Sequence, residues 1–401
     1  MARLLENDSL SLLANEGIRL PRWGVASSAV EAEATAARLK CAVVLKALVP
    51  VGGRGKAGAI RSASNPAEAA AATAELLARH VGEFPVRRVL VMERLQIAEE
   101  QFASFTFDPA AKGPVLLFSR SGGVEVERQA GRAPGSLLRR AISVTRGFRP
   151  FEGRDVAVEA GLRGSVVPAL GQLLASLYRV FRGCDARLVE INPLALTVAG
   201  ELLPAAVVID LDDQALFRHI ELGDKLAEEE GTGFRPFTPL ERRIHEIDRS
   251  DPHAGAIRFL EFPDGDIAFM VTSGGAALTA LGQLISLGGR PANAFDITAG
   301  QNEEKIYLAM RAILRRPGLR GLIAGGNVKN FARVDLQVRG IVRALRDEGV
   351  DPRRFPVVLR FAGPGIEEAR EIARNVSGLE FYEDETSLEG AVRRIVERTG
   401  R

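Results

Sequence analysis

The sequence is poor in the side chains that most often carry metal, redox or nucleophilic chemistry: its 401 residues include 2 Cys, 4 His, 3 Tyr and 1 Trp. Cys41 and Cys184 belong to no CxxC pair and no Cys/His cluster. That excludes a disulfide scaffold and a thiol-based metal site, and both read as buried or incidental thiols. His80 ends an alanine-rich stretch, and His219, His245 and His253 lie in charged connecting segments. They read as surface groups, so a reaction that needs a histidine must take it from another chain. A charge excess is also absent, with Lys plus Arg at 53 against Asp plus Glu at 51. Neither nucleic acid nor an anionic membrane surface is expected as a partner, and any anion must be recognised locally. Apolar runs such as AVVLKALVPV are broken by Lys46, well short of the roughly 18 residues of a membrane span. The opening MARLLENDSL carries acidic residues where a secretory leader needs basic and then apolar ones, which predicts a cytoplasmic protein.

The length exceeds what one ordinary core supports, so two or three domains are expected. From Asp266 onward, strand and helix patterns alternate: strands at 267–271, 294–298, 321–324, 357–361 and 379–382, each followed by a helical stretch (276–287, 303–314, 334–346, 366–375, 388–396). Strands apolar on both faces between helices predict a doubly wound parallel sheet, with a number of strands that suits a flavodoxin-like order. The first half is less regular. Helices are predicted at 9–15, 29–39, 67–80 and 168–182, and strands at 42–48, 88–92, 102–107, 115–119, 188–191 and 202–209, an α+β arrangement with mixed sheets. The segment GTGFRPFTP, 231–239, reads as a linker. The expected division is 1–230, a linker at 231–250, and 251–401.

Gly52-Gly53-Arg54-Gly55-Lys56-Ala57-Gly58 follows a strand. Such a loop can wrap phosphate oxygens with backbone N–H groups while Arg and Lys add charge-assisted bonds. It is no Walker loop, because Pro50 breaks the GxxxxGK spacing and no Ser or Thr follows Lys56. Gly53, Gly55 and Gly58 satisfy GxGxxG, but a dinucleotide-binding loop opens into a helix, whereas 59–64 reads as extended. An ordinary glycine-rich turn with solvated basic residues is the alternative.

With the preceding Val43-Val44-Leu45-Lys46, this loop resembles the ATP-grasp loop of succinyl-CoA synthetase beta subunits. Further segments follow in the same order: Val91-Met92-Glu93 with Glu100, GGVEVE at 122–127, Glu190-Ile191-Asn192-Pro193-Leu194, Ala215-Leu216-Phe217-Arg218, and Gly289-Arg290-Pro291-Ala292-Asn293. The resemblance covers nearly the whole chain. It implies an ATP-grasp domain followed by a flavodoxin-like CoA-ligase domain, working with an alpha-type partner subunit. In that scheme ATP phosphorylates a partner histidine, an acyl phosphate forms, and CoA displaces phosphate. Carried over residue by residue, Lys46 would contact ATP phosphates under a cover of Gly53, Arg54 and Gly55. Glu93 would lie near the adenine, Glu100 would bond the ribose, and Asn192 would help hold Mg2+. Lys46 and Arg54 are expected to be partly solvated in the free protein.

The sequence departs from the family in two places. An ungapped count from Ala215-Leu216-Phe217-Arg218 puts the family's second magnesium ligand, an Asp, at Ala206. Asp210, the nearest acid on that strand face, is roughly 13 Å along it. Either Asp210 is the ligand or the metal site is altered. The acid-binding region differs too. Thr272 stands where succinate-specific relatives have Asn, and Gly325-Gly326-Asn327-Val328-Lys329-Asn330-Phe331 replaces a GGIVRCD-like loop. That loop, the opening MARLLE and the Glu93 to Glu100 spacing are closer to ATP-citrate lyase and citryl-CoA synthetase small subunits, yet Phe361 stands where those carry a second Arg beside Arg360. The resemblance implies a small di- or tricarboxylate, such as succinate, malate or citrate. Its carboxylates would meet the turns 273–275 and 325–327, around Thr272, Gly325, Gly326 and Asn327, where helix N-termini offer free N–H groups. Two other readings stay open: a self-contained ATP-grasp ligase that joins an acid to an amine, and a non-catalytic ATP-grasp paralogue with an altered metal site.

Overall fold

A computed structural model describes residues 2–123, 137–227, 235–251, 253–298 and 303–400. The chain divides into two compact units, Met1–Pro236 and Phe237–Arg401. Residues 124–127 of the GGVEVE segment and 231–234 of the expected linker lie outside the described residues.

The first unit carries two main antiparallel sheets. The larger runs Ala2–Arg3, Val207–Leu211, Ala186–Thr197, Ile97–Asp108, Gly113–Ser119 and Leu138–Ala141, with Leu202–Pro204 pairing on the long central strand. Alternate residues of Ile97–Asp108, among them Ala103 and Phe105, are buried in a core with Leu170, Leu174, Leu177, Tyr178 and Phe181 of helix Val166–Gly183. Their spacing of three and four residues makes one apolar stripe on that helix. At its centre Phe105 packs its ring 5.5 Å from Phe148 and 5.4 Å from Tyr178. Phe105→Ala should therefore cost about 3–5 kcal/mol through lost burial and the cavity left behind. A denaturation midpoint equal to wild type would refute this placement of the core.

The smaller sheet orders Trp23–Ala26, Val89–Glu93, Val43–Ala47 and Ile60–Ala63. Helices Ala29–Leu39 and Pro66–Leu77 belong with it, and each begins on a side-chain cap: Ser28 accepts from the Glu31 N–H and Asn65 from the Glu68 N–H. The glycine-rich loop runs into a strand rather than a helix, as expected. The single strand expected at 202–209 is two, Leu202–Pro204 and Val207–Leu211, separated by Ala205 and Ala206.

In the second unit the strands Ile267–Thr272, Gly321–Val328, Val357–Ala362 and Glu380–Tyr382 pair in parallel, in that order. The other predicted strand, Asn293–Ile297, pairs antiparallel with Ile257–Glu261. It is tied to Ile267–Thr272 by the segment leading into it, where Ile267 N–H donates to Arg290 O at 3.0 Å and Ala292 N–H to Ile267 O at 2.8 Å. The buried Asn293 amide then stands in for a ladder residue, accepting from Phe269 N–H at 3.2 Å and donating to Phe269 O at 2.6 Å. Counted along the chain, this is the 2-1-3-4-5 order of a flavodoxin-like sheet. Two apolar clusters pack against it, one with Ile341, Ala344 and Leu345, the other with Ala280, Leu284, Val392 and Ile395. From Pro239 the stretch expected as a linker is a helix, Pro239–Ser250, started by a Thr238/Glu241 capping box, and its Ile244 and Ile247 join the core of the second unit. Among the described residues no helix is long and apolar enough to cross a membrane.

Candidate functional site

Lys46 lies on strand Val43–Ala47, on the same face as Met92 of the neighbouring strand. The expectation that it is partly solvated is wrong: Lys46 is 5% exposed. Its Nζ donates to Glu6 Oε1 at 2.8 Å, approaches Met92 Sδ at 3.8 Å, and donates to the Ala205 carbonyl. Arg54, from the glycine-rich loop, is also largely buried and sets Nη2 2.7 Å from Glu6 Oε2. Burial pushes the Glu6 carboxyl up, but Lys46 and Arg54 outweigh that and hold it below the usual carboxylate range. A buried anion thus holds two cations beside a loop closed by its own hydrogen bonds, Ala57 N–H to Gly53 O at 3.0 Å and Ala59 N–H to Arg54 O at 2.9 Å. Gly53 has φ +70°, and Gly55 is the acceptor for the Gly58 N–H. Glu6 was missed in the sequence; its signal was an acid at the start of a helix, ordinary at any helix N-terminus.

The same spot is approached from the other side. Asn192 N–H donates to Ala206 O at 3.1 Å, and Asn192 Oδ1 accepts from Gly123 N–H at 2.6 Å. The Asn192–Pro193 peptide is cis. Glu100 is exposed, with its carboxylate against Gly123, whose φ of +65° and lack of a side chain make room for it. An open hollow of about 570 Å3 is lined by Glu99, Glu100, Arg120, Ser121 and Gly122. Contacts therefore run continuously from Arg54 through Glu6, Lys46, Ala205–Ala206 and Asn192 to Gly123 and Glu100.

Two expected members do not join that line. Glu93 follows Met92, so its side chain leaves the opposite face of the strand, where Arg22 grips it with Nε at 2.8 Å and Nη2 at 3.2 Å. Asp210 is buried and bound by Arg3 on both oxygens, at 2.7 and 2.8 Å. The residue that stands against Asn192 is Ala206. Among the described residues no cluster of three His, Cys, Asp or Glu side chains could hold a metal.

In the second unit the carboxyl ends of the parallel strands gather a separate group, which lies where doubly wound sheets bind ligands. Thr272 and Gly326 are paired across the ladder, and Thr272 Oγ1 donates to Gly325 O at 3.2 Å. Gly325 backs onto Arg360 so closely that a Cβ there would overlap the Arg360 carbonyl. Asn327 is exposed at the end of its strand. The Ser273 and Gly274 N–H groups are not free as expected, because both donate to Asp296 Oδ1, at 3.0 and 3.3 Å. Arg360 turns inward, giving Nη1 to Gly326 O at 2.8 Å and Nε to Thr386 O at 2.9 Å. Lys329 reaches back to the hydroxyls of Thr272 and Ser273, the latter at 2.9 Å.

Sequence comparison assigns these units separately. A profile described as the ATP-grasp domain matches residues 3–196, and one described as ATP citrate lyase citrate-binding matches 235–397. Among curated proteins, the ADP-forming succinate–CoA ligase subunit beta of Methanothermobacter thermautotrophicus is 36% identical over 98% of each chain. The chain belongs to the succinate–CoA ligase beta-subunit family. A GDP-forming member of this family from Thermus thermophilus is likewise 36% identical, over 97% of each chain. Among solved structures, ATP citrate lyase from Methanothrix soehngenii, in complex with citrate and coenzyme A, superposes with a TM-score of 0.74 at 20% identity, over 99% of this chain and 98% of that one. At that identity the likeness is one of fold. The succinate–CoA ligase beta-subunit family thus accounts for the order of both units, an ATP-grasp unit followed by a flavodoxin-like one.

Proposed function

We propose that this chain is the nucleotide-binding, beta-type subunit of an ADP-forming acid–CoA ligase that acts in the cytoplasm on a small di- or tricarboxylate. The observation that carries the reading is the meeting of Lys46 and Asn192 at the Ala205–Ala206 turn, with Arg54 joined to Lys46 through Glu6, inside the ATP-grasp unit of a chain that aligns end to end with succinate–CoA ligase beta subunits. Lys46 and Arg54 would exchange part of their interaction with Glu6 for ATP phosphates, and the glycine-rich loop would cover them. Glu100, exposed beside Gly123, suits ribose hydroxyls, whereas Glu93 would have to leave Arg22 to meet the base. The donor set around Asn192 supplies one neutral oxygen, so it fits Mg2+ only as an ion carried by the nucleotide phosphates and completed by water.

No histidine lies in the contacts from Arg54 to Glu100. His80, His245 and His253 are exposed, and His219, expected at the surface, is half-buried against Asp185 with Nε2 2.7 Å from Oδ2. The phosphorylated histidine would therefore belong to an alpha-type partner, as would completion of the CoA step. Purified alone, the chain should release no ADP from ATP, acid and CoA, and it should gain that activity on addition of the cognate alpha subunit. Full turnover by the isolated chain would overturn the heteromeric reading. The loss of an acidic side chain at Ala206 favours a second reading, a nucleotide-binding paralogue without turnover. It would gain no activity with the partner while still binding ATP.

A further inference from the structure

Glu6 is a carboxylate in a place that the nucleotide reading reserves for phosphates. It opens helix Glu6–Asn15, is buried, and meets Lys46 at 2.8 Å and Arg54 at 2.7 Å. The Lys46 ammonium contacts Glu6, Met92 Sδ and the Ala205 carbonyl, and of these Glu6 alone brings a negative charge. Burial draws that ammonium below its ordinary range; Glu6 counters the effect and Arg54 adds to it. Two like charges held together away from water repel strongly. The anion between them is what lets Lys46 and Arg54 stand side by side.

The other charges on the elements around Glu6 are engaged elsewhere. On its own helix, Asp8 pairs with Lys225 at 3.0 Å, and Glu16, just past the helix end, pairs with Arg179 at 2.8 Å. On strand Val207–Leu211, Asp210 holds Arg3. Among the described residues, Lys46 and Arg54 are therefore the charges that keep Glu6 ionised. Burial is the largest single influence on the carboxyl and pushes it up; the two cations together reverse this. A triphosphate carries more negative charge than Glu6, so it draws both cations towards itself and sets its own charge against the carboxylate. The burial remains. At 3% exposure Glu6 cannot turn to solvent, and a buried carboxylate that loses its partners sheds its charge by protonation.

We infer that Glu6 is a positioning residue for the nucleotide's phosphates: it holds Lys46 and Arg54 ready before ATP arrives, and it takes up one proton when ATP displaces it as their anion. This rests on the reading of Lys46 and Arg54 as phosphate contacts. The step is an acid–base one: solvent gives up a proton, the Glu6 carboxylate becomes a carboxylic acid, and no other bond forms or breaks. Without nucleotide the carboxyl titrates below its ordinary value of 4.5, and with nucleotide it titrates above it. Between the two, one proton enters with each ATP, so affinity falls as pH rises, by up to about tenfold per pH unit.

The full chain carrying 13C-labelled glutamate is mixed with Mg·ATP and its infrared difference spectrum is recorded, while calorimetric titrations in buffers of different ionisation enthalpy count the protons taken up. Wild type should gain the C=O stretch of a protonated carboxylic acid, displaced by the label. Glu6→Gln should lack that band, and its ATP affinity should depend less steeply on pH than that of wild type, the difference cancelling the nucleotide's own ionisation. A Glu6 that served the fold alone would stay ionised and give no band. Absence of the band from wild type, which needs no variant to fold, would overturn the inference, and so would the same band in Glu6→Gln. Calorimetry separates the two claims. Heat of ATP binding without the band ends this inference and leaves the nucleotide reading standing; no ATP binding at all ends both.

Discussion

Lys46→Ala should abolish measurable Mg·ATP binding and lower stability together, by on the order of 3–5 kcal/mol, the usual cost of stranding one partner of a buried ion pair. The expected stability loss follows from Glu6, which has no route to solvent: it is 3% exposed and wedged against Lys46 and Arg54. The double change Glu6→Gln with Lys46→Met removes both charges at similar volume, so it should restore most of the melting temperature without restoring ATP affinity. Calorimetric titration and thermal melts on the three proteins check this. A Lys46→Ala protein that melts and binds ATP like wild type would remove Lys46 from the site altogether. Acid should mimic part of the loss. Because the folded pKa of Glu6 lies below its ordinary value of 4.5, its stabilisation is complete above that value and disappears as pH falls through the folded one.

The second large effect concerns the metal. Ala206→Asp should lower the Mg2+ concentration for half-maximal ATP binding by about tenfold, equivalent to about 1.4 kcal/mol, because it returns an anionic oxygen to the position beside Asn192. Asp210→Asn should leave the Mg2+ requirement unchanged and lower the melting temperature instead, since it breaks the two-point grip of Arg3. If Asp210→Asn abolishes metal dependence while Ala206→Asp does nothing, Asp210 is the ligand and the ungapped alignment fails.

Much of the second unit was legible from the sequence because strands such as Ile267–Thr272 and Val357–Ala362 are apolar on both faces and end at Ser273-Gly274 and Gly363. One surprise there has a local cause. Asn293 looks like a polar strand residue, but its amide completes the neighbouring ladder, and only coordinates reveal that substitution. In the first unit, Trp23–Ala26 and Pro150–Glu159 went unread: the former is too short for a periodic signal, and the latter has a weak apolar stripe in which Gly153, Val156 and Ala157 are the buried residues. Pro239–Ser250 was hidden by the Gly/Pro-rich segment before it, although Thr238 and Glu241 carry a capping box at the expected spacing. Among the candidate site residues, Lys46, Arg54 and Asn192 followed from the motif, while Glu6 did not. Its significance lies in what it is packed against, Lys46 and Arg54, a property of tertiary contact that no local pattern encodes.

The pairing of Ala2–Arg3 with Val207–Leu211 has a consequence for biosynthesis. Arg3 and Asp210, whose side chains clasp across that pair, are separated by 207 positions in the chain. During translation Ala2 and Arg3 must wait for nearly the whole ATP-grasp unit before their strand finds its neighbour, a long-range closure that slows folding. Glu6 waits with them, because Lys46 can take its place beside the Ala205 carbonyl only once that turn has been made. A nascent chain halted before Val207 would hold Glu6, Lys46 and Arg54 without the strand that seats them. The nucleotide site would therefore be among the last parts of the first unit to form as the protein is synthesised.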